Sequence, residues 1–383
     1  MKWIYFTIFD PRFYPRPIFF KRCCGMLVYY LRTFPGYVRS PGKVPNAPAR
    51  GTGRSARKST SRDPLGVFYK CPRQDRSRLL DSVFYEALYV PCLKKVGGEG
   101  IVVMNAYGVH AAKLLGKKVV VDLMDLWSCE DSALHLNAVD FKSLKKADLV
   151  LAWSRAIHSL LRRMGISSVY LPFGVDLKTF DPMSVPPSLF LNRYPDVGGT
   201  VRLVYSGGLW YVGGKEVLGV GKLLKAFKKV EEKRRDVALL IQAPREVMEM
   251  AREMGLRNVV HVERTPLSND PLRLSFLRSA DILVLTGSRY SAVYLAERTT
   301  MYQYMATGNA ILAEATLGVR GVLTHGETGY LVELDNPGKM AEAILVLAAD
   351  EGLRRYIGRN ARSLLERHYT WEKLIEKARS ILA

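Results

Sequence analysis

The 383-residue sequence has no apolar run near the roughly 18 residues that a membrane-spanning helix needs. Its opening residues are apolar only briefly before Asp10 and the prolines around it, which is not typical of a secretory signal peptide. The five cysteines are odd in number and include no CxxC pair, so neither a disulfide framework nor a zinc site is indicated. We therefore expect free thiols in a cytoplasmic protein.

Acidic residues are scarce: 36 Asp and Glu face 57 Lys and Arg, for a net charge of +21. Such a charge favours an anionic partner. Residues 39–78 hold eleven of the basic residues against two aspartates, and they are rich in Pro, Gly and Ser. We predict a flexible basic loop at 39–63, which either settles on an anionic membrane surface or is only a solvated insertion. Nucleic acid is not the expected partner, because no recognition module accompanies the charge.

The chain length and a hydrophobic content of 48% predict two packed domains. Short apolar strands alternate with amphipathic helices, the pattern of parallel sheets covered on both faces. A Pro-rich joint at 182–199 interrupts this pattern. We predict an α/β fold of two Rossmann-like, doubly wound domains that face a cleft. They span residues 1–190 and 200–368, with a terminal helix at 369–383 crossing back and a single helix at 17–33.

Ligands of parallel sheets bind where loops follow the carboxyl ends of strands. Ser206, Gly207 and Gly208 follow the strand VRLVY, where glycines allow close approach to a phosphate or simply form a turn. A second cluster at 288–308 joins charged and hydroxyl residues to a short helix that ends at Gly308. The amino end of this helix, near Thr299 and Thr300, would direct its positive dipole at the cleft.

A third cluster of carboxylates follows the strand KVVVDLM in the first domain. These side chains would hold sugar hydroxyls or an acceptor, or would cap helices and face solvent. The members are Asp122, Asp125, Glu130 and Asp131.

Several motifs, in order along residues 101–380, together resemble glycosyltransferase family 4, whose members are retaining enzymes with the GT-B fold. They are the hinge-side segment ending in GVDLKTFDP, VRLVYSGGL followed by LLKAF, RSADILVLTGS, YQYMATGNAILA, HGETGYLVE and YTWEKL.

The resemblance implies that the C-terminal domain binds a nucleoside diphosphate sugar and that the N-terminal domain binds the acceptor. The sugar would be transferred with retention, and basic side chains and helix ends would stabilise the leaving diphosphate without a metal or other cofactor. A lipid-linked acceptor or a cell-surface glycan precursor would suit the basic loop. The protein would then act in the cytoplasm, peripherally on the inner face of the membrane.

The sequence departs from the family where the family carries charge. Gly208 and Leu218 stand where the resemblance implies an arginine and a lysine for the phosphates. Thr300 replaces a further lysine, and Gln303 replaces the glutamate that would hold the ribose.

Lys215 is the expected substitute, together with one of the arginines near the cleft. We predict three catalytic residues: Lys215, Arg289 and Asp125. The predicted donor-binding residues are Gly207, Gly208, Arg264, Glu297, Arg298, Thr299, Thr300 and Gln303.

Two alternatives stay open at this point. A GT-B scaffold that has lost catalysis would keep the fold and bind an anionic ligand or nucleic acid. A sugar-nucleotide epimerase of the same architecture would not need the basic loop at 39–63 to bind a membrane.

Overall fold

The computed structural model describes residues 3–7, 16–30, 76–95, 97–126, 138–212, 215–265 and 268–382. The basic loop predicted at 39–63 lies outside these ranges, as do Glu130 and Asp131.

The first domain is built on a parallel sheet that has six strands in the described residues, in the order β2-β1-β3-β4-β5-β6. The strands are β1 (Trp3–Thr7), β2 (Leu27–Tyr30), β3 (Gly100–Met104), β4 (Lys118–Leu123), β5 (Leu149–Ala152) and β6 (Ser168–Tyr170). The helices are α1 (Arg16–Cys24), α2 (Arg76–Lys95), α3 (Val109–Leu114), α4 (Ala138–Lys146) and α5 (Arg155–Arg163).

The second domain repeats this plan, and its described parallel strands follow the order β11-β10-β7-β12-β13-β14. The strands are β7 (Val201–Ser206), β10 (Val237–Gln242), β11 (Val259–His261), β12 (Ile282–Leu285), β13 (Ala310–Glu314) and β14 (Tyr330–Val332), with a separate antiparallel pair, β8 (Tyr211–Val212) and β9 (Lys215–Glu216). The helices are α6 (Ser188–Leu191) in the linker, α7 (Val220–Glu231), α8 (Glu246–Glu253), α9 (Pro271–Arg278), α10 (Ser291–Tyr294), α11 (Thr299–Thr307), α12 (Leu317–Arg320), α13 (Pro337–Ala349), α14 (Glu351–His368) and α15 (Trp371–Leu382).

The central strands are short apolar runs because helices cover both faces of each sheet. Every residue of β3 and of β10 is buried. The α7 helix turns its Leu223, Leu224 and Phe227 side chains into the core of the second domain. Burial of each such side chain contributes about 1.5–3 kcal/mol. The α/β prediction with two Rossmann-like domains is therefore confirmed.

The single helix predicted at 17–33 is wrong. The α1 helix ends at Cys24, and Gly25 adopts a φ of +61° that favours glycine. After Met26, the residues LVYY include one β-branched and two aromatic side chains, and they form β2 beside β1. The expectation of free thiols also fails here, because Cys23 and Cys24 are joined in a disulfide. A bond between neighbours closes no loop, so it is not a disulfide framework.

The end of the chain packs on the first domain. Val175 and Thr370 form a β-bridge, and the Trp371 Nε1 donates to the carbonyl oxygen of Phe173 at 3.2 Å. Farther along α15, the Arg379 Nε donates to the carbonyl oxygen of Cys23 at 2.7 Å. One apolar cluster consequently contains residues from both domains and from α15.

None of the described helices is both long enough and apolar enough to cross a membrane.

Candidate active site

The glycine loop after β7 lies at the carboxyl edge of the second sheet. A hydrogen bond to Tyr304 of α11 fixes the start of this loop. The Tyr304 hydroxyl accepts from the Ser206 N–H at 2.9 Å, and the Ser206 hydroxyl donates to Gln242 Oε1 at 3.0 Å. A Cβ on Gly207 would lie 2.5 Å from the hydroxyl oxygen of Tyr205, so this position requires glycine. The Gly207 N–H donates to the carbonyl oxygen of Gln242 at 3.1 Å, and the half-buried Gly208 follows it at the carboxyl edge of the sheet.

The amino end of α7 is already occupied by a carboxylate of the chain. Glu216 accepts from the N–H of Leu218 at 2.5 Å and from the N–H of Gly219 at 2.9 Å. Leu218 and Gly219 stand just before Val220, the first residue of α7. Glu216 therefore places a negative charge beside this helix amino end, which disfavours a phosphate there.

The amino end of α11 differs, because no side chain among the described residues caps it. Thr299 and Thr300 are its first two residues, as the sequence predicted, and both are half-buried. Gly308 ends the helix with a φ of +69°, which confirms that prediction too. The α11 helix thus offers unshared N–H groups and a positive dipole end at the same edge as Gly207.

Arg298 stands directly before α11, and its Nη1 donates to the carbonyl oxygen of Thr286 at 2.6 Å. Thr286 in turn donates its hydroxyl to the carbonyl oxygen of Leu218. Burial raises the pKa of Tyr205 and of Tyr304, and the charge of Arg298 offsets part of each rise. The guanidinium therefore lies where the glycine loop, the start of α7 and the end of β12 meet.

Gln303 and Arg264 belong to the same edge, and Arg273, which the sequence reasoning missed, joins them. The Arg273 Nη2 donates to Gln303 Oε1 at 3.0 Å, and its guanidinium stands over the Phe180 ring. Burial lowers the pKa of Arg273 to about 10, and the charge of Arg264 acts in the same direction. The Gln303 amide thus faces a cation.

These cations share one property. Among the described residues, no carboxylate forms an ion pair with Arg264, Arg273 or Arg298. Three guanidinium groups at one edge therefore carry uncompensated positive charge.

The remaining cations at this edge are engaged in ion pairs or, as Arg264 is too, exposed. The Lys222 Nζ is 2.9 Å from an oxygen of the buried Glu314 and 2.7 Å from Asp335. Lys222 is therefore the counter-ion of a buried carboxylate. Lys215 is exposed on β9, and Arg289 is 69% exposed with its Nε 3.5 Å from Asp335.

Glu297 lies in the interface between the domains instead of in the donor pocket. One of its oxygens accepts from the Arg155 N–H at 2.8 Å, and the other accepts from the hydroxyls of Tyr170 and Tyr302. Burial raises the pKa of Glu297, and these hydrogen bonds offset part of the rise. Both oxygens are occupied, so the donor-binding role predicted for Glu297 does not fit its position. Its first-domain partners are at least 127 residues away in sequence, and no local signal would have found them.

The carboxylates after β4 have two different environments. Asp122 is fully buried and accepts from Arg16, Tyr5 and Trp153, so it holds the first domain together. Asp125 is half-buried just beyond the strand. The next residue, Leu126, accepts from the Ser291 hydroxyl of the second domain at 3.2 Å. Asp125 therefore lies on the side of the first domain that faces the donor half.

Known proteins match this chain in sequence and in fold. Residues 200–350 match the family model described as glycosyl transferases group 1. The phosphatidyl-myo-inositol mannosyltransferase of Mycobacterium tuberculosis is 31% identical over 228 residues, which cover 56% of this chain and 55% of that protein. The chain thus spans about half the length of the curated relatives it matches.

Two solved structures share the architecture. Sucrose-phosphate synthase from Thermosynechococcus elongatus has a TM-score of 0.71 and 15% identity, covering 100% of this chain and 98% of that one. HepE from Anabaena, in complex with UDP-glucose, has a TM-score of 0.64 and 16% identity, covering 78% and 81%. At such identity the likeness shows the fold. The resemblance seen in the sequence is confirmed: residues 200–350 match the group 1 glycosyl transferases, and the chain has the GT-B fold.

Proposed function

We propose that the protein transfers a sugar from a nucleoside diphosphate sugar to an acceptor, with retention. One observation carries this proposal: the uncapped amino end of α11 stands beside Arg298 and the glycine loop, at an edge with uncompensated guanidinium groups. Helix amino ends and arginines are what a leaving diphosphate needs. The UDP-glucose complex of HepE, which has this fold, supports the donor class.

In this proposal the charge that builds up on the leaving diphosphate is met by Arg298 and by the N–H groups of Thr299 and Thr300. Gly207 and Gly208 give the phosphates access to the backbone. Gln303 and Arg264 lie where they would contact the nucleoside, and Gln303 can both donate and accept. We propose that this arrangement works without a metal.

Asp125 is the proposed contact for the acceptor hydroxyl from the opposite domain. A half-buried carboxylate facing the donor half can orient a hydroxyl or accept its proton. Lys215 and Arg289 stay predictions, because their exposed positions suit only a ligand that projects outward from the edge.

A lipid-linked acceptor is the finer part of the proposal. The name of the Mycobacterium tuberculosis relative supports it, since that protein is a phosphatidyl-myo-inositol mannosyltransferase. The α2 helix adds support: Val83 and Phe84 are 52% and 55% exposed, and Lys94 and Lys95 end the helix. Exposed apolar side chains on a helix that ends in lysines suit the inner, anionic face of a cell membrane.

Calorimetric titration of the full chain with UDP, GDP and ADP sugars tests the donor proposal. We expect one of the three to bind in the micromolar range. If none binds, the scaffold alternative replaces the enzyme proposal. Vesicle sedimentation at low and high salt tests the membrane part, because an electrostatic attraction must weaken as salt screens it.

A further inference from the structure

A second group of arginines lies at the opposite, amino edge of the second sheet. It surrounds a cavity of about 360 Å³ between the starts of β12 and β13 and the first half of α14. The charged residues that line it are Arg278, Arg354, Arg355, Arg359, Asp281 and Glu351. The length of β12, about 13 Å, separates this cavity from the donor edge.

A glycine brings α14 to this edge. A Cβ on Gly358 would lie 2.2 Å from the carbonyl oxygen of Gly308, so α14 packs directly against the turn before β13. Arg354, Arg355 and Arg359 therefore reach the cavity from the α14 helix, while Arg278 reaches it from the end of α9.

The two carboxylates of the cavity are already neutralised. Asp281 is 3.0 Å from the Arg202 Nη2 and also accepts from the Arg202 N–H. Glu351 forms an ion pair with Arg355 at 2.5 Å. In the part of the chain that the structure describes, Arg278, Arg354 and Arg359 have no carboxylate partner.

Neutral oxygens hold two of these arginines in place. The Arg278 Nη1 donates to Asn309 Oδ1 at 3.0 Å, and the Arg354 Nη1 donates to the carbonyl oxygens of Leu347 and Ala348. Such bonds fix the guanidinium planes but leave their charge and remaining N–H groups for another ligand. Helix capping explains the position of Arg354, but it does not explain Arg359, which is exposed.

We propose that this cavity binds a phosphate group, as a phosphomonoester or a diphosphate, at a site separate from the donor pocket. The guanidinium groups of three arginines can together donate to the several oxygens of a phosphate group. A single carboxylate has only two oxygens and would satisfy fewer of these donors. The proposal does not depend on the glycosyltransferase activity.

Calorimetric titration of the full chain with pyrophosphate tests the proposal. We expect binding at the arginine cavity to weaken at least about tenfold in Arg359→Glu, because a charge-assisted contact is replaced by repulsion. The matched control is Arg367→Glu, an exposed arginine later in the same helix, and it should leave the site unchanged. Arg298→Ala should weaken pyrophosphate binding at the donor pocket but leave binding at the arginine cavity unchanged, which separates the two sites.

Hydrogen exchange on the unaltered protein makes the test independent of folding in the variants. Pyrophosphate should slow exchange in residues 353–359 and 307–310. Equal slowing of exchange in residues 353–359 by pyrophosphate in Arg359→Glu and the unaltered protein, or no slowing in these segments at about 1 mM, would overturn the proposal.

A second experiment, vesicle sedimentation, distinguishes a lipid headgroup from a soluble phosphate as the ligand. Phosphatidylcholine vesicles with a minority of phosphatidic acid are sedimented with each variant. If Arg359→Glu lowers vesicle binding, the phosphate comes from a lipid headgroup. If it lowers only pyrophosphate binding, the ligand is soluble, and if it lowers neither, the cavity is not a phosphate site.

Discussion

Replacing Arg298 by alanine should remove the main cation for the donor diphosphate. The guanidinium is half-buried, is oriented by the Thr286 carbonyl and has no carboxylate partner in the described chain. A charge-assisted contact of this kind contributes about 1.5–3 kcal/mol. The Kd for the nucleotide sugar should therefore rise about 10- to 150-fold.

Calorimetry with the nucleotide sugar that binds best measures this change, and kcat/KM should fall by at least the same factor. Arg298→Lys should give an intermediate Kd, because lysine keeps the charge but loses the planar fork that meets Thr286 and the phosphates. Arg252→Ala, on the exposed side of α8, is the matched control.

A parallel Lys215→Ala variant compares the two candidate cations. We expect a smaller effect than for Arg298, because Lys215 is exposed on the β9 strand. If Arg298→Ala binds the donor within about twofold of the unaltered protein while Lys215→Ala does not, the assignment of the phosphate site to α11 is refuted.

Three further predictions concern the glycine loop after β7, the His158 side chain of α5 and the absence of a metal in sugar transfer. Gly207→Ala should weaken donor binding and lower the free energy of unfolding by about 1–3 kcal/mol, because its Cβ would clash with Tyr205. Calorimetry and denaturant melts check this. Gly199→Ala, whose Cβ has open space, is the control. Burial and the charge of Arg162 lower the pKa of His158, so the free energy of unfolding should decrease as pH falls below about 6.5, and His158→Gln should flatten that pH dependence. Sugar transfer should be unchanged by EDTA, and activity restored only by added metal would contradict the proposed role of the arginines.

The architecture could be predicted from the sequence because it depends on local patterns. Apolar strands of four to six residues, each followed by an amphipathic helix, fix parallel sheets with both faces covered. The helix before Gly308 could be predicted for the same reason, since it ends at a glycine that adopts the left-handed conformation. The turn at Gly25 was missed because the residues around it are compatible with either a helix or a strand.

The site could be predicted only in part, because charge pairing is not local. Lys222 looks available in the sequence, yet it neutralises Glu314, which lies 92 residues away. Glu297 is similarly bound by Arg155 and Tyr170 across the domain interface. Arg273 belongs to no recognisable sequence motif, and only the folded structure brings it next to Gln303.

Hydrogen exchange with and without the bound nucleotide sugar tests the central claim most directly. The claim is that the diphosphate binds at the amino end of α11 beside Arg298, and not at the amino end of α7, where Glu216 already places a negative charge. We predict slower exchange in residues 206–209 and 299–302, with residues 218–222 unchanged. Slower exchange at 218–222 without any change at 299–302 would contradict the claim.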